Sequence, residues 1–209
     1  MIAARDALTR LQEGNRRFAA HVAGAAPLPG RRLELMQTQA PFAIVLGCSD
    51  SRVPAELIFD QGLGDLFVIR VAGNIVATSQ VGSVEFAAGR FGTRLVVVLG
   101  HSQCGAVLST IEELRRPTEN QSRNLQAIVD RVRPSVEGLL HAAPGGADDA
   151  LVDAAVRLNI RASADHLRHG SRILEQLIRD DGLLVVGGEY SLDTGVVDFF
   201  DGMPRPVGS

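Results

Sequence analysis

Apolar positions along this chain fall into two patterns. Four runs are short and nearly continuous, at residues 42–47, 66–71, 94–100 and 183–187. Runs of that length without polar alternation predict strands buried on both faces. The stretches between them carry helical spacing instead, at 54–59, 79–91, 105–115, 120–141 and 150–181. Pro54 suits the first turn of its helix. Pro134 predicts an interruption or restart within 120–141, and Gly170 a break within 150–181. At the amino end, residues 5–20 place Leu8, Leu11 and Phe18 on one side of a helix. Residues 24–30, rich in Ala, Pro and Gly, read as a linker, and 141–149 as a surface loop. Asp193-Thr194-Gly195 signals a turn before a short last strand at 196–200, which returns antiparallel.

Strands alternating with helices predict an α/β fold. The expected core is a mainly parallel sheet, four parallel strands plus a short antiparallel edge strand, flanked by helices and preceded by an N-terminal helical arm. At 209 residues the chain fits a single domain, with residues 1–30 as arm and linker. The arm suits either a partner subunit or its own domain, and the pattern alone does not choose.

Composition narrows the function classes. The net charge of −3 comes from interspersed charges and leaves no electrostatic footprint for nucleic acid. The chain has no lysine, which excludes Schiff-base chemistry and a lysine-bearing phosphate loop. No apolar run approaches the ~20 residues that span a bilayer, and residues 1–20 lack the apolar core of a signal peptide. A cytoplasmic location with both cysteines reduced is the expectation.

Those two cysteines mark the chemistry. Cys48-Ser49-Asp50-Ser51-Arg52 and His101-Ser102-Gln103-Cys104-Gly105 each follow an apolar run that ends in Gly. In parallel sheets, ligands bind beyond the carboxyl ends of the strands, where the strand order switches. Two thiolates, an imidazole and a carboxylate delivered there suit tetrahedral zinc. Two buried structural cysteines or a disulfide remain open as alternatives. Asp50 can serve as a fourth ligand or pair with Arg52. In the second case the fourth position is left to water, whose pKa zinc lowers to about 7. His21, His141, His166 and His169 lie apart from this pattern, and the glycine spacings form no dinucleotide fingerprint.

Cys-Ser-Asp-Ser-Arg-Val-Pro at 48–54 together with His-Ser-Gln-Cys-Gly at 101–105 resembles the β-class carbonic anhydrases. The resemblance extends through 14–18, 60–74 and 187–195. It implies one Zn2+ per subunit on Cys48, His101 and Cys104. It implies Asp50 and Arg52 as a catalytic dyad orienting zinc-bound hydroxide for attack on carbon dioxide, giving bicarbonate and a proton. Gln39, Gly105, Phe67, Ala72 and Phe86 are the implied substrate-binding residues, although family members often have Val and Tyr at the last two positions. A homodimer or dimer of dimers is implied, with the cleft at the dimer interface. Asp50 is implied as a zinc ligand only in a closed state reached as pH falls. Some members carry a non-catalytic bicarbonate site of Trp, Arg and Tyr. Arg70 and Tyr190 match two of its positions, but Val45 stands at the third, so that regulation is expected to be weak or absent. Two other readings use the same site: hydrolysis of carbonyl sulfide or carbon disulfide, and a non-catalytic zinc scaffold.

Overall fold

The computed structural model describes residues 2–21, 31–117, 122–142 and 149–204. Helix α1 (Ala4–Ala19) is followed by a short α2 (Arg31–Glu34), β1 (Ala43–Gly47), α3 (Ala55–Ile58), β2 (Leu66–Arg70) and a 3₁₀ turn (Ala72–Asn74). Then come α4 (Thr78–Arg90), β3 (Leu95–His101), α5 (Gly105–Arg115), α6 (Arg123–Ala142), α7 (Asp149–His169), α8 (Arg172–Asp180), β4 (Leu184–Tyr190) and β5 (Val197–Asp201). The strands form one sheet in the order β2-β1-β3-β4-β5, parallel except for β5. This is the expected α/β architecture.

The near-continuous apolar strands are explained by burial on both faces. Ile44, Leu46, Val96 and Val98 meet α4, α5, α6, α7 and α8 through Val84, Ile111, Val132, Val156 and Leu174. Their neighbours Ala43, Val45, Leu95 and Val97 point the other way, against Leu8 and Leu11 of α1 and Ile58 of α3. Helix α1 therefore lies on the sheet of its own chain. Buried Asn15 secures it: its Nδ2 donates to Ile58 O (3.2 Å) and Gly195 O (2.9 Å), and its Oδ1 accepts from Val197 N (2.8 Å).

Two elements differ from the sequence expectation. Helix α6 runs through Pro134 without interruption. Pro134 and Asp130, whose carbonyl loses its helical partner to the proline, are both exposed residues. Strand β4 extends three residues past the expected end at Gly187. A glycine pair ordinarily weakens a strand, but here close packing requires it. A Cβ at Gly187 would stand 2.8 Å from Ile160 Cγ2, and one at Gly188 3.1 Å from Val197 Cγ1. The break at Gly170 occurs as expected, with Ser171 capping α8. The expected linker at 24–30, and most of the 141–149 loop, lie outside the described residues.

Candidate metal centre and active site

The chain leaves β1 for β2 on one side of the sheet and later enters β3 on the other. The order therefore switches between β1 and β3, and both sequence motifs emerge at that point. Cys48 follows the last residue of β1, His101 ends β3, and Cys104 stands at the N-cap of α5. Gln103, with φ 53°, takes the left-handed conformation that turns the chain between His101 and Cys104.

Cys48, His101 and Cys104 are all buried, and their ligand atoms lie within 4.8 Å of one another. The two sulfurs are 4.0 Å apart and both cysteines are free, so no disulfide joins them. Tetrahedral zinc with Zn–S bonds of 2.3 Å needs sulfurs about 3.8 Å apart, close to this spacing. The imidazole is fully buried. Its Nδ1 lies 3.0 Å from Ser102 O, which can only accept, so Nδ1 carries the hydrogen. Among the described residues Nε2 has no hydrogen-bond partner and is left with a bare lone pair. A buried acceptor without a partner is costly, and a metal ion in the sulfur–nitrogen triangle satisfies it. The donor set and this orphaned nitrogen fit zinc.

Without a metal, one sulfur of the pair is prepared as a thiolate and the other keeps the shared proton. The hydrogen bond with Cys104 pulls the Cys48 thiol well below its ordinary range, against an opposing effect of burial. The same contact, with burial, pushes Cys104 up, because the pair holds one proton more readily than none. Backbone amides favour negative charge on both: Gly73 N–H donates to Cys48 Sγ at 3.3 Å, and the first turn of α5 offers the amides of Ala106 and Val107 to Cys104.

Asp50 stands beside this triangle without joining it. Arg52 grips its carboxylate with two parallel bonds, Nε to Oδ1 at 2.9 Å and an Nη to Oδ2 at 2.7 Å, and the Arg52 amide adds a third at 3.0 Å. Arg52 thereby holds the Asp50 carboxyl well below the usual carboxylate range. Asp50 Oδ2 lies 3.8 Å from His101 Nε2, which sets it at the edge of the metal position. Arg70 fastens the loop from below, donating to Cys48 O at 3.1 Å and to Asp50 O at 2.6 Å.

The substrate-side residues are spread more widely. Ala72 sits in the 3₁₀ turn next to Gly73, and Gly105 opens α5 with free space beside its Cα. Phe67 and Phe86 have ring centres 6.2 Å apart and share an aromatic cluster with Phe91. Gln39 is exposed and lines a cavity of about 860 Å³ together with Leu35, Met36, Leu63, Phe86 and Phe91. Cys48, Asp50, His101 and Cys104 are not among the residues that line that cavity with Gln39. Of the three positions of the non-catalytic bicarbonate site, Val45 and Tyr190 are buried and Arg70 is engaged with the Cys48 loop. Sequence reasoning missed Asn159, a buried residue of α7 whose Nδ2 donates to Gly73 O. The available signal was an amide on the apolar stripe formed by Val152, Val156, Ile160 and Ala164.

The carbonic anhydrase family model matches residues 43–197. Carbonic anhydrase 2 of Mycobacterium tuberculosis (strain ATCC 25618 / H37Rv) is 38% identical over 191 residues, covering 88% of this chain and 87% of that protein. The β-carbonic anhydrase CafA of Aspergillus fumigatus superposes with a TM-score of 0.74 at 23% identity, covering 96% of this chain and 92% of its own. One of two tetrameric β-carbonic anhydrases from Sordaria macrospora gives 0.73 at 22% identity, with 93% and 97% covered. A buried Cys-His-Cys triangle at the switch point, in a chain matched over most of its length, makes this protein a member of the β-carbonic anhydrase family of enzymes.

Proposed function

We propose that this chain catalyses the zinc-dependent, reversible hydration of carbon dioxide to bicarbonate and a proton. The observation that carries the reading is the orphaned His101 Nε2, which shares a buried triangle with two thiol sulfurs and lies beside a carboxylate kept ionised by Arg52. Cys48, His101 and Cys104 hold the metal. Zinc bound there supplies a Lewis acid that makes a water nucleophilic near neutral pH.

The chain's own groups direct the reaction. Asp50, held ionised, can accept a hydrogen bond but not donate one. Its Oδ2 therefore fixes the hydrogen of the nucleophilic water and leaves a lone pair free to face carbon dioxide. Arg52 sets the plane of that carboxylate through its two parallel bonds. The carboxylate is committed to Arg52, which supports the open arrangement, with the closed one reached only by breaking this pair. Gly105 N–H, at the positive end of α5, is placed to receive a carbon dioxide oxygen as negative charge develops on it. Ala72 and Phe67 form apolar walls that leave the linear substrate without competing hydrogen bonds.

The cleft is completed by a second copy of the chain. Met36, Leu63 and Phe86 are 73%, 50% and 56% exposed around the cavity that holds Gln39. Large apolar side chains clustered in this way mark an interface. A homodimer or dimer of dimers covers them and lets Gln39 serve a metal centre. Helix α1 packs on its own sheet, so of the expected arm only the exposed face of this helix is left to meet the partner in this assembly. Among the described residues no helix is long and apolar enough to cross a membrane, and two free buried cysteines suit the cytoplasm. With Val45 buried at the position where Trp is needed, non-catalytic bicarbonate inhibition is weak or absent in this reading.

Stopped-flow carbon dioxide hydration on zinc-quantified protein tests the proposal. Rapid hydration is expected from the native chain, with the Cys48→Ala variant losing both zinc and rate, down to the uncatalysed background. Full zinc occupancy without hydration, at mildly alkaline pH, would turn the assignment toward sulfur analogues of carbon dioxide or a zinc scaffold.

A further inference from the structure

We infer that Asn159 of α7 is a positioning residue for the metal, holding the Gly73 peptide so that its N–H stays on the Cys48 sulfur. The inference rests on the zinc reading above. Two hydrogen bonds in series make the connection: Asn159 Nδ2 donates to Gly73 O at 2.8 Å, and Gly73 N donates to Cys48 Sγ at 3.3 Å.

The turn between them would not keep its shape unaided. Gly73 and Asn74 both have left-handed backbone, with φ of 71° and 43°. Successive left-handed residues are disfavoured and persist only where their surroundings hold them. Residue 73 must also be glycine, since a Cβ there would stand 3.0 Å from Ala106 Cβ. Asn159 supplies the external hold on the carbonyl side of this glycine, while the sulfur takes its amide side.

Helix α7 is itself locked in register, so the amide arrives at a fixed point. Ile160, the next residue, lies over two glycines of the sheet. A Cβ at Gly100 would be 2.6 Å from Ile160 Cδ1, and one at Gly187 2.8 Å from Ile160 Cγ2. Gly100 immediately precedes the ligand His101. One dipeptide, Asn159-Ile160, thus sets both the strand end that carries the imidazole and the turn above the first thiolate.

The chemistry follows from the N–H···S bond. An amide donor withdraws charge from a thiolate, orients its lone pairs and tunes what the sulfur gives to a metal. Leu at 159 would suit the surrounding apolar stripe, whereas an amide there must be satisfied, and Gly73 O accepts from it. A purely structural role for Asn159 would affect stability alone. A positioning role also changes the metal's ligand field and its retention.

The experiment uses the full chain, loaded with Zn2+ or with Co2+ as the spectroscopic probe. Zinc release to a chelator and the sulfur-to-cobalt charge-transfer band are measured for native protein, Asn159→Leu and Asn15→Leu. Asn15 is the control, because it is a buried amide that clamps α1 and has no link to the metal. Expected for Asn159→Leu are a shifted band and zinc retention weakened roughly 10–100-fold, the range for lost partners of metal ligands. Asn15→Leu should lower the melting temperature while leaving band and release at native values. Asn159→Leu with native band and native release overturns the inference, whatever its melting temperature. Should that variant not fold, Asn159→Ser replaces it under the same criteria, and cadmium-113 protein gives an independent reading. In native protein the Gly73 amide proton should couple to cadmium through the sulfur, and absence of that coupling also overturns the inference. Native protein without a tetrahedral cobalt–thiolate spectrum removes the zinc reading itself, an outcome distinguishable from the others.

Discussion

The candidate metal centre and the cavity lined by Gln39 are built in opposite ways. Cys48, His101 and Cys104 come from strand ends in the middle of the sheet, are buried, and are each held by backbone or side-chain hydrogen bonds. Gln39, Met36, Leu63 and Phe86 come from the segment before β1, the loop before β2 and the outer face of α4, and all are exposed. The first region draws its three candidate ligands from one chain. The second is a surface whose apolar area is characteristic of something still to be covered. The contrast separates two requirements of the reaction: rigid ligation, which one fold can supply, and a shaped, water-poor cleft, which is proposed to need two.

The sharpest way to break the comparison is to damage the metal region without removing a ligand. Arg52→Ala leaves Cys48, His101 and Cys104 in place but frees the Asp50 carboxylate. Zinc content should stay at one per chain while the hydration rate falls roughly 100- to 1,000-fold, the scale for losing one preorganised electrostatic group. Stopped-flow hydration alongside metal analysis reads both, and zinc loss in step with rate would show that the pair is part of the ligation instead. The pair also has a pH signature. Arg52 depresses the Asp50 pKa, so its contribution to stability is complete above the ordinary carboxylate value of about 4 and declines as pH falls below it. The melting-temperature gap between native protein and Arg52→Ala should therefore be flat from pH 5 to 8 and shrink in more acidic solution. The gap itself should be small, since half of the Arg52 side chain is exposed.

The complementary change attacks only the cleft. Phe86→Asp places a charge among exposed apolar residues and leaves every metal contact untouched. Sedimentation analysis should show dissociation at concentrations where the native chain is associated, with zinc retained. Activity per chain should fall about tenfold or more on dilution, a scale consistent with losing an aromatic anchor at an interface. A variant that stays associated and fully active would mean that this cavity is not the interface.

The same contrast explains what could be read from the sequence. The strand ends were legible because continuous apolar runs terminate in glycine and the only two cysteines follow such runs. His101 and Cys104 follow directly from that pattern. Gln39 and Phe86 had no such signal and were found through family resemblance alone, since an exposed Gln in a loop looks like any other. Gly47 closes β1 and Gly100 stands one residue from the end of β3, so these glycines do mark strand ends, but Gly187-Gly188 lies inside β4, where Ile160 and Val197 need the room. Pro134 signals a break, yet α6 runs on through it, because packing of the helix's buried face holds the helix together across the lost bond. Asn159 went unnoticed because its partner, Gly73 O, lies 86 residues away in sequence, and no local spacing encodes that contact.

The smallest expected effect tests whether the scaffold can be weakened without touching either region. Ser171 caps α8, accepting from Leu174 N at 3.2 Å and donating to Glu85 Oε1 on α4 at 2.6 Å. Leu174 is fully buried, so without the cap its amide has no water to turn to. Ser171→Ala should cost about 1–2 kcal/mol, as lost caps do. In a chain of this size that lowers the melting temperature by roughly 2–8 °C. Hydration rate, zinc retention and association should all remain native. Glu85 is adjacent to Phe86 in α4, so this bond also tests how the scaffold meets the cleft. A Ser171→Ala variant that weakens association would show that α8 helps hold Phe86 toward the partner. In that case the cleft would depend on the same packed helices that support the metal centre, and the division between the two regions would lie closer to the surface than the burial pattern suggests.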